Sequence, residues 1–180
     1  MEVQKTPIEG LLVIQPRVFA DDRGYFFESY NKQVMAGLGI TEEFVQDNQS
    51  KSQKGVLRGL HFQNPPFAQG KLVRVIQGAV LDVAVDIRQD SPTYGQHYKI
   101  ELTGENKTMF WLPAGFAHGF LTLEDETVFS YKCTGLYNKD SEGSLRWNDP
   151  DLAIDWGIDE PSLSEKDAAA PFFKDFKTQF

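Results

Sequence analysis

Over residues 11–133 the chain is cut into short runs rich in Val, Ile, Phe and Tyr, with Gly, Pro, Asn or Asp between them at intervals of roughly 8 to 12 residues. Runs that short turn back on one another, so the pattern predicts an antiparallel all-β jelly roll or barrel. The expected strands cover 12–19, 25–30, 44–48, 55–63, 71–77, 80–87, 97–102, 109–112, 119–123 and 127–133, with one helix over 31–38 capped by Asn31. In LDVAVDI the alternation is strict. Val83, Val85 and Ile87 fall on one face, Asp82, Ala84 and Asp86 on the other, so one face is expected to be barrel wall and the other lumen or solvent. Past Gly135 the pattern loosens, and turn residues predict irregular segments over 135–180 that close over the barrel. With 14 Phe, 6 Tyr and 3 Trp, 180 residues can fill one such core, and a single domain over 1–180 is expected.

Acidic groups outnumber basic ones by 26 to 18, for a net charge of −8. That argues against nucleic acid or an anionic membrane held by a general basic field. Cys133, the single cysteine, cannot pair within the chain and sits in an apolar run, as a small buried hydrophobe does. The apolar run at 11–14 is far short of a secretory or membrane-spanning segment, which makes a cytoplasmic protein the expectation.

Two of the three histidines have informative neighbours: His61 in GVLRGLHFQ and His118 in LPAGFAHGF. The spacing of Gly55 to His61, and of Pro113 and Gly115 to His118, resembles the two motifs of the cupin superfamily. Metal-binding members of that superfamily take two histidines and a glutamate from the first motif and one histidine from the second. Here Gln63 stands in place of the second histidine, and a segment containing Lys71 in place of the acid. Lysine is a cation with donors only, which makes a poor divalent site and leaves proton chemistry.

Proton chemistry needs a base that titrates near neutrality, and His61 is the candidate. His61 and Gln63 share a strand face, Lys71 opens the next strand, and Tyr131 lies with Phe129 and Cys133 on its own side. A base, an ammonium and a phenol facing one lumen suit enolisation of a ketone, in which one removes an α-proton, one steadies the enolate oxygen and one returns a proton. Read as packing, Tyr131 is instead a core aromatic with its hydroxyl on a carbonyl, and Lys71 a solvated edge-strand residue. Arg58 is three residues from His61, so a regular strand turns it to the opposite face unless Gly59 marks a bulge.

The segments VFADDRGYFFESYN, FVQDNQSKSQKGVLRGLHFQ, QGKLVRV, VLDVAVDIRQDSPTYGQ, WLPAGFAHGFLTL, SEGSLRWNDPDLAIDW and LSEKDAAAP run in order through about residues 7–171. Together they resemble the dTDP-4-dehydrorhamnose 3,5-epimerase family. The resemblance implies a 4-keto sugar nucleotide deprotonated and reprotonated at C5 and C3, with no metal or redox cofactor. It implies His61 as base, Asp167 as the carboxylate that orients it, Tyr131 as the reprotonating acid and Lys71 as the enolate's partner. Arg58, His118, Gln46, Asp47, Asn48, Glu142 and Lys166 match substrate-contacting positions, and Tyr137 and Phe26 are candidate stacking partners for the base. Asp82 is expected to tune Lys71 or His118. Arg23 and Glu28 match positions that reach a neighbouring subunit's nucleotide, which implies a homodimer with the arm 1–30 at its interface. Small departures, at Gln49 and Ser50 and in QNPPFA, touch no proposed catalytic group.

Four other readings are weighed against the same residues. A monoepimerase or a 3,4-ketoisomerase shares the base and differs in pocket shape and donor placement. A carbohydrate-binding jelly roll has no use for His61, Lys71 and Tyr131 together, and a metal-dependent dioxygenase needs a third ligand that is missing.

Overall fold

The computed structural model describes residues Met1–Phe180. Its strands, in chain order, are β1 (Glu2–Lys5), β2 (Leu12–Gln15), β3 (Phe19–Asp21), β4 (Gly24–Phe26), β5 (Gln46–Ser52), β6 (Leu57–Gln63) and β7 (Lys71–Gln77). They continue as β8 (Ala79–Asp86), β9 (His97–Thr103), β10 (Met109–Leu112), β11 (Phe116–Thr122), β12 (Thr127–Cys133) and β13 (Glu142–Ser144). Two short helices join them, α1 (Lys32–Gly37) and α2 (Glu165–Ala168). A six-stranded sheet, ordered β1-β2-β10-β7-β12-β5, faces a five-stranded one, ordered β13-β6-β11-β8-β9, and all their ladders are antiparallel. The expected jelly-roll class holds. β3 and β4 pair only with each other.

Alternation along the strands builds three apolar layers. Between the sheets, Val73, Val75, Phe110 and Phe129 of one meet Val80, Ala84, Leu102 and Phe120 of the other, with the Phe120 and Phe129 rings stacked at 4.2 Å. Removing one such ring costs about 3–5 kcal/mol. On the outer face of the five-stranded sheet, Val83, Val85, Ile87 and Leu121 pack under Leu145, Leu152 and Trp156 of the C-terminal segment. The two faces of LDVAVDI are therefore both buried, since the tail covers the wall that would otherwise meet water. On the outer face of the six-stranded sheet, Ile14, Leu72, Met109 and Trp111 pack with Met35 of α1 and with Ile40. α1 starts where expected, with the Asn31 side chain accepting from the amides of Gln33 and Val34.

Several boundaries move. The strand expected over 12–19 stops at Gln15, because Pro16 has no amide to donate to a ladder, and the chain resumes as β3. The strand expected over 25–30 is only β4, half of an exposed hairpin. β5 runs on to Ser52 and β11 begins at Phe116, each shifted by three or more residues from expectation because pairing partners set strand ends. β1 and β13 lack any periodic signal and form through pairing with β2 and β6, and α2 is a single turn too short to show one. No helix is long and apolar enough to cross a membrane.

Candidate active site

The bulge that joins Arg58 to His61 sits at Gly59. His118 of β11 is opposite His61, and Phe120 is opposite Arg58, so one residue of β11 faces two of β6. Gly59 has φ +130°, and a Cβ there would meet the Cα of Gly119 at 2.5 Å. The extra residue turns Arg58 and His61 to the same lumen, where the Arg58 Nε donates to the Ser52 hydroxyl at 3.2 Å.

Two adjoining cavities open there, of 410 and 320 Å³. Three side chains line both: His61, Lys71 and Tyr131. Arg58, His118, Lys166 and Asp167 line the larger, and Gln46, Asn48, Tyr137 and Glu142 the smaller. Register explains the convergence, because Lys71 is opposite Cys133 on β12, two residues from Tyr131, and Gln46 and Asn48 are opposite Cys133 and Tyr131 on β5.

His61 Nε2 donates to Asp167 Oδ1 at 2.5 Å, with the two side chains 32% and 5% exposed. Burial raises the Asp167 pKa, but hydrogen bonds from His61, the Asp167 amide's neighbour Ser164 and the Gly59 amide outweigh it and hold the carboxyl below its usual value. An ionised carboxylate only accepts, so the imidazole proton is on Nε2 and the Nδ1 lone pair is free to act as base. Asp167 is the third residue of α2, whose N-cap Ser164 accepts from the Asp167 amide at 3.1 Å. S-x-x-D is a helix-start signal, and it was the one local sign that this stretch of tail is ordered.

Burial pushes the Lys71 amine down from its ordinary value, against the opposing pull of Cys133, Asp82 and Glu142, and its Nζ reaches the His61 carbonyl at 3.4 Å. Burial pushes the Tyr131 hydroxyl up, which keeps it protonated and able to donate, and Asn48 contacts it. His118 Nε2 lies 2.9 and 3.0 Å from the two oxygens of Asp82, and desolvation depresses its pKa despite that neighbour, so the ring is neutral at pH 7. Asp82 thus bonds His118 directly and acts on Lys71 through its charge. Glu142 is bridged by Lys166 and accepts from the Tyr137 hydroxyl at 3.3 Å.

Not every expected residue joins this group. β5 alternates, so Asp47 points to the outer face and pairs with Lys132 at 2.9 Å instead of entering the lumen with Gln46 and Asn48. Arg23, Phe26 and Glu28 stay on the exposed arm and line neither cavity at His61; Arg23 is 89% exposed and bound to Asp21. Glu28 accepts from Asn31 at 3.0 Å. Gln63 clamps two loops, donating to the carbonyls of Phe67 and Leu136 and accepting from the Asn138 amide. With both lumen histidines bonded to carboxylates, no three His, Cys, Asp or Glu side chains converge as a metal donor set.

Against known proteins, residues 5–175 match the family model described as dTDP-4-dehydrorhamnose 3,5-epimerase. A dTDP-4-dehydrorhamnose 3,5-epimerase of Salmonella typhimurium is 56% identical over 173 residues, covering 95% of this chain and 94% of that protein. The crystal structure of a dTDP-4-dehydrorhamnose 3,5-epimerase from Elizabethkingia anophelis superposes with a TM-score of 0.92 at 54% identity, covering 97% of each chain. A dTDP-6-deoxy-D-glucose-3,5-epimerase from Legionella pneumophila, solved in complex with dTDP-4-keto-L-rhamnose, gives 0.94 at 51% identity, covering 98% of this chain and 94% of that one.

Proposed function

The chain belongs to the dTDP-4-dehydrorhamnose 3,5-epimerase family, and from that membership we propose how its residues convert dTDP-4-dehydro-6-deoxy-D-glucose to dTDP-4-dehydro-L-rhamnose. His61 Nδ1 removes the proton at C5 and at C3 in turn, each acidified by the C4 ketone. Lys71 steadies the enolate oxygen that forms, and the Tyr131 hydroxyl returns a proton to the opposite face; the imidazolium then loses its proton to solvent and the phenolate regains one before the second carbon reacts. The observation that carries this reading is the 2.5 Å contact of His61 with Asp167 at the junction of two cavities, where only Lys71 and Tyr131 join His61 on both sides. The junction suits the sugar, with Arg58 and His118 beside it. The smaller cavity, with Gln46, Asn48, Tyr137, Glu142 and the nearby Lys166 ammonium, suits the nucleotide diphosphate.

The working unit in this reading is a cytoplasmic homodimer of one-domain chains, the arm 1–30 lying at the interface and segment 135–180 closing over the barrel. Arg23, Glu28 and Phe26 then reach the partner's nucleotide. Support comes from the arm itself, where Phe19, Tyr25 and Phe26 are each more than half exposed and Arg23 approaches no cavity of its own chain's active site. Asp47 has no part in it.

An NMR time course with dTDP-4-keto-6-deoxyglucose in heavy water tests the chemistry. Deuterium is expected at both C3 and C5 of the L-sugar product; label at one carbon only would make the enzyme a monoepimerase.

A further inference from the structure

Asp167 stands on a helix of four residues, and one turn does not hold itself together in water. Its carboxylate is therefore placed by whatever grips the two ends of α2. Ser164 grips the first. Arg146 grips the second: Nη2 donates to the Ala168 carbonyl at 2.9 Å, Nε to the Ala170 carbonyl at 3.0 Å, and its backbone amide to the Pro171 carbonyl at 2.9 Å. The Ala168 carbonyl is one that a helix end leaves without an internal partner, and Ala170 and Pro171 follow directly after the C-cap, Ala169.

Arg146 is tied just as firmly to the strand that carries the base. Leu145 and Leu60 exchange both backbone hydrogen bonds, at 3.0 and 3.2 Å, and Leu60 precedes His61. Ser144 is opposite His61 in the β13–β6 ladder. A closed ring of contacts results, from His61 through the Leu60 and Leu145 backbones to Arg146, on to the end of α2, and back through Asp167. The Arg146 guanidinium also lies 4.5 Å over the Phe172 ring, which fixes the plane of its fork.

We propose that Arg146 is a positioning residue for the proton transfers, bracing α2 against the β6 backbone so that Asp167 meets His61 at hydrogen-bond distance. The proposal rests on the His61–Asp167 reading above. Lysine cannot reproduce it fully, since a single ammonium does not span two carbonyls as the guanidinium fork does.

The test measures α-proton exchange into heavy water, with dTDP affinity alongside, for Arg146→Met, Arg146→Lys, Asp167→Asn and the Arg146→Met/Asp167→Asn double variant. Arg146→Met is expected to slow exchange about tenfold or more, by misplacing the carboxylate that orients His61, with dTDP affinity kept within about threefold. Its pH profile moves in the same direction as that of Asp167→Asn, and Arg146→Lys falls between Arg146→Met and the wild type. In the Asp167→Asn background Arg146→Met costs less than about twofold, because the orientation it secures is already lost. An equal loss in both backgrounds overturns the proposal, as does normal exchange in Arg146→Met beside slow exchange in Asp167→Asn. Normal exchange in Asp167→Asn instead sinks the reading of Asp167 itself. Should Arg146→Met not fold, Arg146→Lys in the same two backgrounds gives the same decision.

Discussion

His61 and His118 are opposite each other in the β6–β11 ladder, and each gives Nε2 to a carboxylate, yet the first pair is 32% and 5% exposed and the second 7% and 0%. Asp82 comes from β8, the strand next to β11, so its pair is built inside one sheet and packed under the Phe120 and Phe129 rings. Asp167 comes from the tail and approaches His61 from outside the sheet. An orienting carboxylate on Nε2 leaves the other ring nitrogen without a protein hydrogen-bond partner. The same two residue types thus make a partly exposed pair in one place and a buried one in the other, and the difference lies in which element supplies the acid.

The comparison breaks most directly at His61, the proposed base. His61→Ala is expected to lower α-proton exchange by on the order of 10²- to 10⁴-fold with dTDP binding retained, measured by NMR in heavy water and by titration. His118→Ala, if it folds, should keep more of the exchange; an equal loss in the two variants would erase the distinction. Next in size, Tyr131→Phe should cut epimerised product by about 10²-fold while exchange continues, since deprotonation does not need the phenol. Parallel loss of exchange and product would place Tyr131 elsewhere.

Stability separates the pairs in the opposite sense. Asp82→Asn leaves His118 poorly matched in a pair only 7% and 0% exposed, at a cost of about 1–3 kcal/mol, whereas Asp167→Asn should cost less than about 1 kcal/mol because His61 can turn to solvent. Denaturant midpoints at constant m decide it, and similar costs would contradict the burial argument. The smallest effect is on acid stability. The His118 pKa is depressed in the fold, mainly by desolvation, so the unfolded chain binds its proton more readily. Stability from this site is complete above pH 6.5 and is lost as pH falls toward the folded value. His97, also depressed by burial, adds a slope of the same sign, so the readout is the part of that slope that disappears in His118→Gln.

Much of this was legible beforehand. The strands at 71–77, 109–112 and 127–133 lie where alternation puts them, and Gly59 announced the bulge that brings Arg58 beside His61. Asp47 was not legible, because a motif match treats three consecutive residues alike while a strand turns the middle one away. The arm was misjudged as longer strand because its Phe-rich run has the composition of a buried one but stays exposed in the single chain. Arg146 gave no local sign of its part, since its partners are bare carbonyls that no sequence pattern marks.

By itself the sequence determined the alternation, the turns and the strand positions of His61, Lys71 and Tyr131, and through family likeness it pointed to a distant aspartate as the partner of His61. These follow from side-chain period and turn chemistry, which act over a few residues. Only the tertiary structure decided that Asp167 meets His61 from 106 positions away while Asp82 takes His118. That choice depends on the tail burying Leu145, Leu152 and Trp156 against the outer face of the five-stranded sheet. Burial of apolar area is non-directional, and no local pattern states where a tail will find it.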